Sequence, residues 1–430
     1  MSAAEKCYGG PFVCYTLGML GMRAALTVAL FTLTTVTSIA ATSIGPLDQA
    51  VAYQHDASHA GFSSGPVPPL RRLWSLHLDG GLLTYPLIAD RRVFISSTTS
   101  VIALDAASGR TLWVRRFSPE NVGWSGIAYD RGVIFATYIA STSDSPAGVF
   151  AFDAQSGRQI WSAPFLTSLS FAYPPVASNG ILYYSGAGGG TAIVALSEQT
   201  GATLWYAGIT QPEIPAVTGA ATVVTSTGCF SASAFGALSG TLLWQVPIGC
   251  SGVAGLPTPN MPVNSGALTY VRGGAQSPDN GTILSSLGGV VGSYSSQFIP
   301  AAGAGHIFLL PAPNLITAPQ TLIATNPLAT SINWEVSLVG DVVVTPPIVV
   351  TGPFRGPAPN ALTRTTVYIE TAAGRLNAYN AAKGTLLMSL PLGVAGASFG
   401  GSTGLAAAGN ILIVPTDHQL LAFTSAPALP

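Results

Sequence analysis

Charge is what this chain has least of. Asp, Glu, Lys and Arg make up 8% of its 430 residues, against roughly 25% in an ordinary soluble protein. The formal net charge is −1, and Lys and Arg do not cluster. That excludes the basic footprint by which nucleic-acid binders hold phosphate, so no nucleic-acid partner is expected. It also excludes strong electrostatic steering of any other partner. Cysteine is nearly as scarce: Cys7, Cys14, Cys229 and Cys250. Apolar runs approaching the ~20 residues that a membrane helix needs occur nowhere beyond the N-terminus, so no span is expected in a mature chain.

The N-terminus reads as a targeting segment. Met22-Arg23 precedes AALTVALFTLTTVTSIAA, a short apolar run ending in small residues. A positive flank, an apolar centre and a small-residue cleavage site are the parts of a secretory signal. Residues 1–41 are therefore expected to be a leader, cut after Ala40 or Ala41, with Met22 as an alternative start. The rival reading, a retained anchor, is weakened by the Thr residues that interrupt the run. The mature protein is expected to be secreted or otherwise extracytoplasmic. Cys7 and Cys14 would leave with the leader. Cys229 and Cys250 would remain, and an even pair in an exported chain is expected to form a disulfide.

Abundant instead are apolar residues (48%), Gly (49) and Pro (32). Many short strands joined by many turns use them this way. The chain repeats itself. VIALDAASGRTLW at 101–113 recurs as VFAFDAQSGRQIW at 149–161 and as IVALSEQTGATLW at 193–205, and a weaker copy ends at Trp244. Each copy is an apolar strand, a tight turn closed by Gly and a second strand carrying Trp. The anchors are Trp74, Trp113, Trp161, Trp205, Trp244, Gly292, Trp334 and Met388, with Thr282 at the repeat's Ala position in the copy that lacks Trp. They stand about 39 to 54 residues apart, as much chain as four short strands need. Repetition at such a period indicates a propeller, a solenoid or an array.

The two ends decide among these. Ala422 sits at the repeat's Ala position, but the Trp due ten residues later would fall beyond Pro430. Trp74, on the strand that begins at Leu70, has no partners before it. The two fragments complete one unit, and closure removes an open sheet edge. The expected fold is all-β: an eight-bladed propeller of four-stranded antiparallel blades over 70–430, closed by its N-terminal strand. Seven blades is the alternative, because the fifth unit lacks Trp. Pro recurs where first strands should start, as Pro86, Pro174, Pro215, Pro257, Pro300 and Pro346, which suits an inner edge. Residues 42–69 show no apolar period and read as an irregular lead-in arm.

Candidate chemistry is thin. His55 and His59 have the i, i+4 spacing of a helical metal pair, but the arm does not read as helix. Packing or bonding to the ring is the expectation. His77, His306 and His418 are isolated. GAGGG at 186–190 lacks the Lys-Ser/Thr of a phosphate loop, and GGSTG at 400–404 lacks the form of a nucleophile elbow. Asn280 heads a glycosylation sequon. The longest insertions, 137–148, 260–280 and 351–365, are the expected partner surfaces, because recognition concentrates on loops.

The run Ala-x-Asp-x-x-x-Gly-x-x-x-Trp, as Ala103 to Trp113, resembles the pyrroloquinoline-quinone-type (PQQ-like) β-propeller repeat, and the resemblance extends over about 70–425. It implies the eight-bladed fold. The family holds quinoprotein alcohol dehydrogenases, with PQQ and calcium at the channel. It also holds a non-catalytic outer-membrane assembly lipoprotein and many exported proteins. The adjacent Cys pair of the dehydrogenases is absent here, as is a lipid-attachment Cys after the leader. Acidic residues beyond the third repeat are only Glu213, Asp279, Glu335, Asp341, Glu370 and Asp417. No catalytic, cofactor or metal residue carries over, and no cofactor is expected. The expected function is an exported, non-catalytic binding scaffold with a protein or glycan partner. The alternatives are a divergent PQQ- and calcium-dependent oxidoreductase and an envelope carbohydrate-binding protein.

Cys229 and Cys250 lie symmetrically about the turn of the fourth repeat. Opposed positions in an antiparallel hairpin are about 4.5–5.5 Å apart at Cα, within disulfide reach. Thiol titration of the purified, non-reduced protein should find neither cysteine free. Two titrating thiols in the folded mature chain would refute the bridge.

Overall fold

A computed structural model describes residues 49–78, 84–97, 99–116, 123–139, 147–166, 169–188, 190–209, 214–219, 221–226, 231–248, 261–272, 281–311, 320–354, 362–396, 403–416 and 418–426. The expected leader, Cys229, Cys250, Asn280 and residues 140–146, 273–280 and 355–361 of the long insertions lie outside these residues. All regular elements among the described residues are strands. They form eight sheets, arranged as an eight-bladed propeller.

Blades 1 to 7 take chain segments 87–116, 123–164, 169–208, 216–247, 263–294, 301–338 and 348–391 in turn. Blade 8 is composite, as the chain ends implied. Its inner three strands are Ala406–Ala408, Ile411–Pro415 and Gln419–Ser425, and its outer strand is Leu70–His77. Trp74 pairs with Ala422 across that closure. Buried apolar side chains from neighbouring sheets interleave into one core cluster that reaches from blade 1 to blade 6, with further clusters between adjacent blades.

The repeated turn works as its residues suggest. Asp105 Oδ1 accepts from Ser108 N at 2.9 Å and Ser108 Oγ at 2.6 Å, and Asp153 repeats this with Ser156. The Ser hydrogen bond holds both carboxyls below their ordinary pKa. Gly109 and Gly157 then take φ of +71° and +68°. Conformation is one reason for Gly there, and space is the other. A Cβ on Gly157 would lie 2.6 Å from the Trp113 ring, and one on Gly109 would lie 2.7 Å from the Trp74 ring.

Trp and Gly of one repeat therefore belong to different contacts. Each Trp crosses to the turn of the next blade, covers its Gly and donates Nε1–H to a turn carbonyl. Trp74 donates to Ala106, Trp113 to Ala154, Trp161 to Glu198, Trp205 to Ala237, Trp244 to Ser286 and Trp334 to Ala381, at 2.8–3.1 Å. Across its own sheet each Trp faces a fully buried Ala, such as Ala103 or Ala151.

Blade 5 departs from this consistently. Register places Ile283, not Thr282, opposite Gly292, because the turn is one residue shorter. The large and small partners have exchanged sides. The turn that Gly292 faces, in blade 6, has Thr330 where the others have Gly, and Leu328 O lies 3.1 Å from the Cβ position of Gly292. The missing Trp and the missing Gly are thus two sides of one interface. Blade 5 also corrects a boundary: its inner strand begins at Val263 after Pro262, and Pro257 lies outside the described residues.

The ladder of blade 4 bears on the expected disulfide. Its bulge shifts register by one, so that Ser231 faces Pro247. The simple mirror symmetry that would oppose 229 and 250 does not continue through the described ladder.

Trp113 is 8% exposed. Trp113→Ala should cost about 3–5 kcal/mol in chemical denaturation, as for other buried large-to-small changes. Trp161, only part-buried, should cost less. Gly157→Ala should destabilise on its own account, and a double-mutant cycle with Trp113→Ala should show coupling, since one deletion vacates the space that the other fills. Additivity would refute the docking contact.

Candidate functional site

An innermost strand is an edge strand. Its N–H groups point at the propeller axis and need partners. In this chain residues 49–65 supply them. Ala50 exchanges two hydrogen bonds of 2.8 Å with Ile88 in blade 1, and Val51 O accepts from Tyr129 N in blade 2. After a tight reversal closed by His55 N to Ala52 O, the arm moves on around the ring. Ala57 O accepts from Val217 N, Ser58 O from Asn264 N, Ala60 O from Ala302 N and Gly61 O from Val349 N, all at 2.7–2.8 Å. Phe62–Ser64 then pairs as a parallel strand with Val349, Val350 and Thr351. One irregular segment thus caps the inner edges of blades 1, 2, 4, 5, 6 and 7.

Its side chains are buried with it. Tyr53 OH donates to Thr403 O at 3.2 Å and its ring meets Tyr85 edge-on at 4.8 Å. Gln54 Nε2 donates to Pro347 O at 3.3 Å. His59 Nδ1 lies 2.7 Å from Tyr53 O and Nε2 lies 2.9 Å from Pro215 O. Asp56 closes a local turn, accepting from Ser58 N and Oγ. His55 Nδ1 has no hydrogen-bond partner.

The expectation that His55 and His59 pack on the ring holds, and the helical chelate does not form. The backbone between them turns repeatedly, with positive φ at Gln54, His55 and His59. Both nitrogens of His59 face carbonyls, and among the described residues no group of three or more His, Cys, Asp or Glu could hold a metal. Burial lowers the pKa of both histidines. Asp56 opposes this for His55, and the two carbonyls together with Asp56 oppose it for His59. Burial also lifts the Tyr53 and Tyr85 hydroxyls well above their ordinary range. Elsewhere, Glu198 in the blade 3 turn is pushed up to about 7 by burial, against the pull of Arg131 at 2.8 Å.

The axial position is where the family resemblance would put a quinone and calcium. The groups present are peptide carbonyls, two imidazoles, an amide, a phenol and the single carboxylate of Asp56, and the arm's backbone pairs with the inner strands of six blades. This donor set does not fit a calcium-held quinone, which needs clustered carboxylates and an open face.

Other sequence candidates separate. His77 and His418, isolated in sequence, come together on blade 8 with ring centroids 6.3 Å apart. The glycine run at 186–190 is the end of a hairpin, since Ile181–Gly188 pairs with Thr191–Ser197. The expected insertions are partly strand: 260–280 holds the first two strands of blade 5, Val263–Ser265 and Leu268–Arg272, and 351–365 overlaps Ile348–Phe354 and Leu362–Thr371 of blade 7, while 140–146, 273–280 and 355–361 lie outside the described residues.

The family described as "Outer membrane protein assembly factor BamB" matches residues 71–167 and 145–276. Among curated proteins, the serine/threonine-protein kinase AfsK of Streptomyces coelicolor is 29% identical over 190 residues, 42% of this chain. The chain spans only 22% of that relative's length. Among solved structures, BamB from Moraxella catarrhalis aligns with a TM-score of 0.59 at 16% identity, covering 83% of this chain and 99% of that one. A europium-containing methanol dehydrogenase aligns at 0.66 and 13% identity, covering 88% and 98%. At such identities the likeness is one of fold.

The buried histidines carry a sign for pH. Their folded pKa lies below the ordinary ~6.5, so the unfolded chain takes up protons first as pH falls. Stability from His55 and His59 is present above about pH 6.5 and is lost as pH drops toward their folded values. Melting curves from pH 8 to 5 should fall less steeply for His55→Gln than for the parent protein. Parallel curves would contradict the burial argument.

Proposed function

The chain belongs to the PQQ-like repeat β-propellers, and on that footing we propose that it is an extracytoplasmic, non-catalytic binding protein that docks a partner protein on the outer edge of blades 4 to 6. The observation that carries this is a run of exposed apolar side chains. Leu238 (77% exposed) and Leu287 (85%) stand at the tips of the repeated turn in blades 4 and 5. Leu242, Leu243, Val290 and Ile332, each more than half exposed, continue the surface along the outer strands. The same turn position holds Ala107, Gln155 and Gln199 in blades 1 to 3.

Charge is partitioned to match. Between Gln199 and Trp334 the charged residues are Glu213, Arg272 and Asp279, and Arg272 is buried. Blades 8, 1 and 2 expose Arg71, Arg72, Arg91, Arg110 and Arg158. Clustered apolar surface on a soluble protein marks an interaction site. A partner face seated here should itself be uncharged, because an ion buried against these leucines would lose its water without gaining a partner. The leader-like N-terminus supports export. The match to an outer-membrane assembly factor, a protein-assembly role by its description, favours a protein partner. The filled axis argues against quinone chemistry.

Leu243→Asp with Leu287→Asp should change stability by no more than about 0.5 kcal/mol per site, as surface changes do. Affinity capture from native envelope or culture fluid should retain a protein on the parent chain and on Arg158→Ala, and lose it on the double variant. Equal retention by all three would sink the assignment. Added PQQ and calcium should leave the absorbance spectrum a simple sum. A quinone shift, or dye-linked alcohol oxidation, would overturn the non-catalytic reading.

A further inference from the structure

Residues 49–65 sit in the ring as a peptide sits in a receptor. Four features distinguish them from an ordinary core element. First, they are held chiefly through main chain: their carbonyls accept from inner-strand N–H groups of six blades, and Phe62–Ser64 adds a strand to blade 7. Adding an extended segment to open strand edges is a recognised mode of peptide binding. In blades 1, 4, 5 and 6 the donors Ile88, Val217, Asn264 and Ala302 are the middle residues of three-residue inner strands. They form a ring of equivalent N–H groups that reads backbone and not sequence.

Second, register is set by a few side chains aimed at the carbonyls that precede inner strands. Tyr53 reaches Thr403 O, Gln54 reaches Pro347 O and His59 reaches Pro215 O. Third, the wall is cut to the arm. A Cβ on Gly303 would run into the Phe62 ring, and one on Gly352 would run into Gly65 O. Neither glycine has positive φ, so both are there for room and not for backbone shape. Fourth, the arm's internal backbone hydrogen bonds are short-range ones within 51–61. It has no fold of its own and takes its shape from the channel.

We propose that the axial channel is a main-chain-reading site for an extended polypeptide, and that residues 49–65 are its tethered ligand, replaceable by the same segment offered in trans. The ligand class follows from the contacts. It is an extended peptide with Tyr, then His six residues on, then Gly-Phe two and three residues after that, as Tyr53, His59, Gly61 and Phe62 stand here. The outer-edge surface of blades 4 to 6 plays no part in this site.

The test uses the full chain with a protease site inserted at the exposed Pro69. After cleavage the arm is held by the channel and by the bonds of Pro66, Val67 and Pro68 to Tyr368, Ser425 and Arg364. A fluorescent synthetic peptide of residues 49–65 should exchange into the nicked protein, seen as rising anisotropy, and excess unlabelled peptide should reverse it. Tyr53→Ala and His59→Ala peptides should compete at least tenfold less well, and a scrambled peptide should not compete. Tryptophan fluorescence, dominated by the inter-blade rings, reports whether the propeller stays folded. No exchange while the ring is intact would overturn the proposal, as would loss of the tryptophan signal together with the arm. A second variant, Gly303→Val in the uncut chain, should expose Tyr53 and Phe62 to chymotrypsin at least tenfold faster with the tryptophan signal unchanged. A single concerted melting of arm and ring in that variant would make the arm a core element and end the proposal.

Discussion

The ring depends on one contact, a tryptophan laid over a glycine of the following blade. Each such contact joins three requirements at one place. The Gly supplies a left-handed turn residue, its missing side chain leaves room for the ring, and the indole N–H meets a turn carbonyl. The opposing Ala on the third strand keeps the ring close to its own sheet. Because the two halves come from different blades, the repeat couples neighbours and not merely strands within a blade. Closure by Leu70–His77 extends that coupling across the chain ends, and Trp74 makes the same contact on Gly109.

At the fifth blade both halves of the contact are absent together. Ile283 opposite Gly292 puts the larger side chain on the third strand and the smaller on the fourth. The next blade's turn has correspondingly lost its Gly.

Ring closure creates a second problem that the Trp contacts do not address. Eight inner strands converge on an axis with their N–H groups unpaired. Here the chain's own arm meets such groups on six of the eight blades. The arm's main chain is what lines the inner edges of those blades. On the outer surface, exposed apolar side chains stand on blades 4 to 6 and exposed arginines on blades 8, 1 and 2.

What was legible in the sequence follows from periodicity. Blade number, closure, the Asp–Ser turn and the Trp anchors recur at countable offsets, because each blade solves the same local problem with the same residues. The arm recurs nowhere. It caps the inner edges of six blades with one non-equivalent segment, so its residues carry no period, and His55 and His59 show only an i, i+4 spacing that the arm's irregular backbone does not use. Gly303 and Gly352 were equally silent, since a strand glycine declares its purpose only when the group filling its space is known. The exchange of Ile283 for Ala was misread by one position, because a shortened turn shifts register without changing composition. The sequence by itself determined the ring, through repeated local chemistry. Only the tertiary structure decided what fills its axis and which surface remains open, because both depend on residues brought together across hundreds of positions by closure.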